Sequence, residues 1–339
     1  MKDHAIIPIF IPHKGCPNDC VFCNQKKITA RSGDVTPDDI RHIIDTWLST
    51  IDTMGLSTVE VAFYGGSFTG IPMTEQSAYL AVADEYKNSG RIDKIHLSTR
   101  PDYIDRPILD NLRRYGVDTI ELGVQSFDDE VLRLSNRGHD SAAVYEAVDL
   151  IREYGFEFGI QLMIGLPGDS MKTCVRSARE TVKLHPSLAR LYPTIVIDDT
   201  ALYDQYERGE YVPLTRDEAV ERTKEMYKIL DAAGITIMRV GLKSTDIIGD
   251  GGAINGGTYH PAFRQLVEGA IARERIEPML RDIEDGCKVD IFSNPKWFSN
   301  MIGNRASNRE YFHNRYPGLN IRYHVDEELP DGEFAVKVK

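Results

Sequence analysis

Short apolar runs alternate with helix-like segments about six times between Ile6 and Val240. This rhythm limits the fold more than any other feature of the chain. The apolar runs are Ile6–Ile11, Val59–Tyr64, Ile95–Ser98, Thr119–Val124 and Phe156–Ile164, then a strand inside Leu188–Ile197 and a last one at Ile235–Val240. Each is too short for a helix and rich enough in β-branched and aromatic residues for a buried strand. Between them the spacing predicts helices over Thr36–Met54, Thr74–Asn88, Asp105–Tyr115, Asp129–Leu134, Ser141–Tyr154, Met171–Leu184 and Thr215–Ala233. The first has a capping Thr36, Pro37 at the first helical position and Asp38 and Asp39 in its first turn. Strands that alternate with helices run parallel and are joined by crossovers, as a barrel or as an open doubly wound sheet. A hydrophobic content of 42% supplies a sizeable core for either. The rhythm stops near Gly249. There a glycine-rich joint, Gly249–Gly257, leads to a helix from Pro261 to about Arg273, then a mixed region without βα rhythm and a terminal strand at Phe334–Val338. The expected division is therefore residues 1–248 and 249–339.

Polar and glycine residues follow the strands, and α/β folds place their sites at those C-terminal strand ends. The first such loop holds Cys16, Cys20 and Cys23, three of the five cysteines in the chain. Three thiolates on so tight a loop can hold three irons of a [4Fe–4S] cluster and leave the fourth iron open to a small molecule. A zinc site needs four ligands, usually in two pairs; no second cysteine pair exists, although His13 offers a fourth ligand. A disulfide needs an oxidising compartment and an even cysteine set, and the chain begins with Met-Lys-Asp-His rather than an apolar signal segment. No stretch reaches the ~18 consecutive apolar residues of a membrane span. These features point to a reducing cytoplasm. The net charge of −12 argues against nucleic acid binding over the whole surface and leaves room for a local basic patch.

The Cys16-x-x-x-Cys20-x-x-Cys23 spacing, with Phe22 just before the third cysteine, resembles the signature of the radical S-adenosylmethionine (SAM) superfamily. The resemblance implies an incomplete (β/α)6 barrel, here with a small C-terminal appended domain. It also implies an open iron that chelates the methionine part of SAM, and reductive cleavage to a 5′-deoxyadenosyl radical. Gly65-Gly66-Ser67 after the second strand resembles the segment whose backbone contacts the SAM amino group, with Ser67 in place of a glutamate. Glu121–Phe127, Arg137-Gly138-His139 and Ile160–Gly168 resemble the branch that holds the Elongator catalytic subunit and, further off, the oxygen-independent coproporphyrinogen dehydrogenases. Arg190–Thr194, Leu202-Tyr203 and Gly209–Leu214 narrow the resemblance to the Elongator side. By position, Ser98, Gln125, Arg137 and Gln161 are implied SAM contacts. The plainer alternatives are that Arg137 pairs with an acid on a helix and that Gln125 satisfies strand-end backbone groups. The resemblance covers roughly residues 5–270 and leaves no room for the acetyltransferase domain of the Elongator subunit, so the chain reads as a stand-alone relative.

The segment from Lys296 to Tyr323 carries Lys296, Arg305, Arg309, Arg315 and Arg322 against the single acid Glu310. Trp297, Phe298, Tyr311, Phe312, Tyr316 and Tyr323 are interleaved with them. Cations for phosphates and aromatic faces for bases make up a single-strand RNA platform, so tRNA is the expected partner through residues 296–323. The plainer alternative is a small capping domain whose aromatics are core and whose arginines are solvated. Cys174 and Cys287 have no partner at ligand spacing and read as apolar filler. The expected function is radical SAM chemistry on tRNA, fed by an electron donor such as flavodoxin or ferredoxin. Two alternatives stand beside it: oxidation of a tetrapyrrole-like or other small anionic substrate, and a non-catalytic iron–sulfur protein.

Overall fold

The computed structural model describes residues 4–11, 15–16, 20–24, 35–51, 55–242 and 254–339. Its centre is a seven-stranded, wholly parallel sheet. The strands are β1 (His4–Ile11), β2 (Thr58–Gly65), β3 (Lys94–Thr99), β4 (Thr119–Gln125), β5 (Glu157–Ile164), β6 (Leu188–Pro193) and, after a short β7 (Ile195–Ile197), β8 (Thr236–Val240). Their order in space is their order in sequence, with β7 left out. A doubly wound sheet reverses its order in the middle; this one never does. Right-handed crossovers then put every helix on one face, and strand twist curls the sheet around the other. β1 and β8 are the two edges and do not pair, so the barrel is incomplete, as expected.

The covering helices are α1 (Pro37–Ile51), α2 (Met73–Asn88), α3 (Arg106–Arg114), α4 (Asp129–Leu134), α5 (Ser141–Glu153) and α6 (Met171–Lys183), then α7 (Ala201–Glu207) and α8 (Arg216–Ala232). Their starts are written locally. Thr36 Oγ1 accepts from the Asp39 N–H while the Asp39 carboxylate accepts from the Thr36 N–H, and the Thr215–Glu218 box repeats the device on α8. Outward-facing Val61, Phe63, Ile95, Leu97, Ile120, Leu122, Ile160 and Leu162 are fully buried against these helices. The core therefore lies between sheet and helices, and the concave side is left for polar side chains.

After β6 the chain departs from the expectation of one strand. Ile195–Ile197 leaves the sheet and pairs antiparallel with β9 (Ile254–Gly257). The long helix α9 (Phe263–Leu280) extends past the expected end, with Pro278 inside its last turn. The C-terminal part is also more regular than expected. β10 (Lys288–Ser293) and β11 (Asn320–Val325) run parallel, joined by α10 (Phe298–Ile302) and α11 (Ser307–Arg315), and β12 (Phe334–Val338) adds antiparallel to β10. This βαβ unit was hidden because α10 is one turn long and α11, Ser-Asn-Arg-Glu-Tyr-Phe-His-Asn-Arg, is polar almost all round. The expected boundary at 248/249 lies outside the described residues. Side chains from both sides of it, such as Leu230 and Val267, or Ile237 and Ile276, share one core. Among the described residues no helix is long and apolar enough to cross a membrane.

The basic C-terminal segment keeps its cations and loses its aromatic faces. Arg305, Arg309, Arg315 and Arg322 are exposed. Trp297 is only 7% exposed and meets Phe334 edge-on, while Phe312 is fully buried. Phe298, Tyr311, Tyr316 and Tyr323 pack against the same core. A stacked base needs a free aromatic face, so the expected stacking platform is corrected to a capping unit with a cationic surface.

Candidate active site

The first βα loop is held from three sides. Gly15 (φ +74°) lies so close to the β2 loop that a Cβ there would sit 2.1 Å from the Ser67 carbonyl oxygen and 2.7 Å from Gly70. No other residue type fits that approach. Gly65 (φ +123°) faces the same limit at the Ile11 carbonyl, 2.2 Å from its would-be Cβ. Further along, the Val21 N–H donates to the Ser135 carbonyl at 3.1 Å, and the Leu202 N–H donates to the Val21 carbonyl at 2.7 Å. Val21 and Phe22 pack with Val196, Leu202, Tyr203, Tyr206 and Tyr211. The Leu202-Tyr203 and Gly209–Leu214 motifs thus form a cradle for the cysteine loop, a role that their sequence does not announce.

Cys16, Cys20 and Cys23 line one cavity, open to solvent, with Phe22, Gly65, Gly66, Ser98, Gln125, Arg137 and Gln161. The loops and strand ends that follow β1 to β5 thus bring every expected site residue to one place, with one exception. Ser67 is turned behind the wall: its Oγ lies 2.7 Å from Thr99 Oγ1 and accepts from the Arg100 N–H at 3.1 Å. Thr99, Arg100 and Gly123 complete the lining and were not expected. Arg100, beside Pro101, looked like a strand terminator.

Arg137 Nη1 donates to the Cys20 sulfur at 3.3 Å and Nη2 to the Gly123 carbonyl at 2.5 Å. Arg137 therefore belongs to the cavity, and among the described residues it pairs with no helical acid. Arg100 is 2% exposed, with Nε and Nη2 donating to the two carboxylate oxygens of Asp102 at 2.9 and 2.7 Å. Burial opposes its charge, but Asp102, with Cys16 and Cys20 adding to it, raises the Arg100 pKa above its ordinary value. Gln125 sits where the β4–β5 register shifts and takes φ +70°, a conformation that costs of order 1–3 kcal/mol in a non-glycine residue. His139 is held neutral, at about 4, by burial and by the neighbouring Arg137 charge.

Below the cavity a chain of polar groups, buried except for His4 at its exposed end, crosses the concave face. His4 Nε2 lies 2.6 Å from Glu60, His96 sits between Glu60 at 3.3 Å and Glu121 at 3.0 Å, and Arg190 meets Glu121 at 2.6 Å. Arg190 Nη2 donates to Tyr64 Oη at 2.7 Å. Burial favours the neutral acid of Glu121, but the Arg190 charge and His96 outweigh it and hold the carboxyl at about 2. For His96, burial works against protonation, yet Glu121 and Glu60 raise it to about 8. Gln161 Nε2 donates to Glu121 at 2.6 Å, so Gln161 is oriented from below while it lines the cavity above.

The donor set fits an anionic iron–sulfur cluster with SAM beside it. Three thiols and two guanidinium groups share one cavity. Arg100 Nη1, Arg137 Nε and Gln125 Oε1 are buried with no hydrogen-bond partner among the described residues. Buried polar atoms are rarely left so. Among the described residues no three His, Cys, Asp or Glu side chains converge on a single ion position. A cube takes one thiolate at each of three irons, so its thiols surround a space and need not meet at a point. His13, the fourth ligand of the zinc alternative, lies outside the described residues. Cys174, by contrast, is buried under α6 against Asp169 at 3.1 Å, its thiol pushed up chiefly by burial, and Cys287 packs at the edge of the core.

Residues 10–181 match the family model described as Radical SAM superfamily, and residues 186–273 match the Radical_SAM C-terminal domain. The chain is 27% identical over 256 residues to the tRNA uridine(34) acetyltransferase of Methanocaldococcus infernus, a match covering 64% of this chain and 48% of that protein. It is 28% identical over 260 residues to human Elongator complex protein 3, covering 64% and 48%. The chain thus spans about half the length of these curated relatives. Among solved structures, the archaeal Methanocaldococcus infernus Elp3 with an N-terminal deletion superposes with a TM-score of 0.65 at 20% identity, over 81% of this chain and 64% of that one. At that identity the likeness is one of fold.

Proposed function

The chain belongs to the radical SAM superfamily, and from that membership we propose that it is an Elongator-like radical SAM enzyme acting on tRNA. Cys16, Cys20 and Cys23 would hold a [4Fe–4S] cluster. Phe22, Gly65, Gly66, Ser98, Gln125, Arg137 and Gln161 would hold SAM, with Ser67 supporting them from behind the wall. The observation that carries this reading is the convergence of these residues, Ser67 excepted, on one cavity, where Arg100, Gln125 and Arg137 each keep a buried polar atom without a partner among the described residues.

When bound, the cluster would supply the electron that splits the sulfur–carbon bond of SAM and yields the 5′-deoxyadenosyl radical. The chain's own residues do the rest. Arg137 offers a charge-assisted donor to the SAM carboxylate while it braces the Cys20 sulfur. Gln125, fixed at the β4 bulge, offers an acceptor to the SAM amino group. Glu121 holds Gln161 in the one orientation that presents its carbonyl oxygen to the cavity. The archaeal relative above is named for tRNA, and only the nucleic-acid substrate class is carried over from it. A low-potential donor such as flavodoxin or ferredoxin would deliver the electron, in a reducing cytoplasm where an oxygen-sensitive cluster lasts.

The test is anaerobic reconstitution followed by incubation with SAM and a chemical reductant, with and without total tRNA, and measurement of 5′-deoxyadenosine. Formation that rises with tRNA is expected. No 5′-deoxyadenosine under any condition contradicts the reading. Formation indifferent to tRNA redirects the substrate to a small anion such as a tetrapyrrole-like acid.

A further inference from the structure

The row of side chains that starts in the cavity continues beyond it. Cross-strand register sets Gly123 of β4 beside Gln161 of β5, Gln161 beside Arg190 of β6, and Arg190 beside Arg239 of β8. Gly123 and Gln161 line the cavity, and Arg239 stands on the last strand of the sheet. Two strand spacings, about 10 Å, separate the β5 wall of the cavity from the strand of Arg239. These residues face the concave side. Their sequence neighbours Leu162, Leu191 and Val240 are buried in the outer core, whereas Met163, Tyr192 and Arg239 are half-buried. Across the trough, Phe10 and Tyr64 are half-buried too, their rings 6.0 Å apart. The concave face is a solvent-reached trough, because β1 and β8 do not close the barrel.

The two arginines of this row differ. Arg190 is committed to Glu121 and Tyr64. Arg239 has no hydrogen-bond or ion-pair partner among the described residues. Its charge reaches Tyr192, where it joins Arg190 in opposing the rise that burial causes in the phenol pKa. The planar fork of Arg239 matches the oxygens of a phosphate.

We propose that Arg239 anchors a phosphate of the RNA substrate, so that the nucleotide to be modified lies along the Arg239–Arg190–Gln161 row with its reacting carbon at the cavity. This rests on the tRNA reading above and adds where the substrate is gripped. A nucleotide reaches such a trough from a single-stranded loop or by leaving its stack.

The experiment titrates holoprotein, loaded with cluster and SAM, with total tRNA at several salt concentrations for wild type, Arg239→Gln and Arg239→Lys. The Gln variant is expected to bind roughly tenfold more weakly, with a slope of log affinity against log salt shallower by about 0.7. The Lys variant is expected to keep the slope and recover only part of the affinity, since it lacks the fork. Iron content and SAM affinity serve as controls for an intact fold. Should the Gln variant lose iron, the Lys variant decides, and wild-type affinity in it overturns the anchor. A Gln variant with full iron, wild-type affinity and an unchanged slope overturns the anchor while the tRNA reading stands. Absence of tRNA binding by the wild type even at low salt overturns both.

Discussion

Arg137 is the residue on which the SAM site turns. Its guanidinium spans Cys20 and Gly123 and leaves Nε unsatisfied in the cavity wall. Arg137→Ala should weaken SAM binding roughly tenfold to a hundredfold, the loss of one charge-assisted hydrogen bond, while iron is retained. Equilibrium binding of SAM to the iron-loaded variant measures this, and unchanged affinity contradicts the assignment. Gln125→Ala should cost less, because its bond is uncharged. Ser98, Gln125 and Gln161 were legible as cavity residues because a parallel sheet brings all its C-terminal strand ends to one rim, whereas Arg137, which follows α4, was legible only through its motif. Arg100 and Ser67 were not. Spacing tells which residues stand at a strand end, but not which way a loop side chain turns. Ser67 turns inward to Thr99, and Arg100 folds back over Asp102 to face the cysteines.

At the scale of elements, α10, α11 and β11 show the limit of composition. Interleaved arginines and aromatics describe an RNA platform and a small capping unit equally well; only packing separates them. Because Trp297 lies between Phe334 and Arg275, Trp297→Ala should destabilise the protein by about 3–5 kcal/mol and leave tRNA affinity almost unchanged. Denaturant unfolding beside a tRNA titration checks both, and lost affinity with intact stability would restore the platform. The exposed cations of this unit retain an electrostatic role. Arg305→Gln with Arg309→Gln should flatten the salt dependence of tRNA binding by about 0.7 for each phosphate released. The Leu202–Leu214 segment teaches the same lesson from the other side. It matched a motif, and its place under the cysteine loop emerged only when Leu202 was seen to donate to Val21.

At the scale of the molecule, the polar chain His4–Glu60–His96–Glu121–Arg190, buried from Glu60 onward, ties five of the seven sheet strands together beneath the cavity. Its pH dependence follows from His96, which is raised from its ordinary 6.5 to about 8 in the fold. The stability it contributes is complete below about 6.5 and is lost as pH rises through about 8. Urea unfolding across that range should show wild-type stability falling and a His96→Gln variant flat, and parallel curves would remove His96 as the source. Glu121→Gln leaves Arg190 and His96 facing a neutral group in a buried site, and should cost about 3–5 kcal/mol. None of this network was legible in sequence, since its members lie on different strands and only register unites them. The architecture around it was legible, because the six-fold alternation of strands and helices admits few topologies. The central claim is that Cys16, Cys20 and Cys23 alone hold a four-iron cluster, and iron content of anaerobically prepared single variants tests it most directly. The account predicts about four irons in the wild type, most of them lost in Cys16→Ala, Cys20→Ala and Cys23→Ala, and none lost in Cys174→Ala or Cys287→Ala. Full iron retention in the first three variants would contradict it.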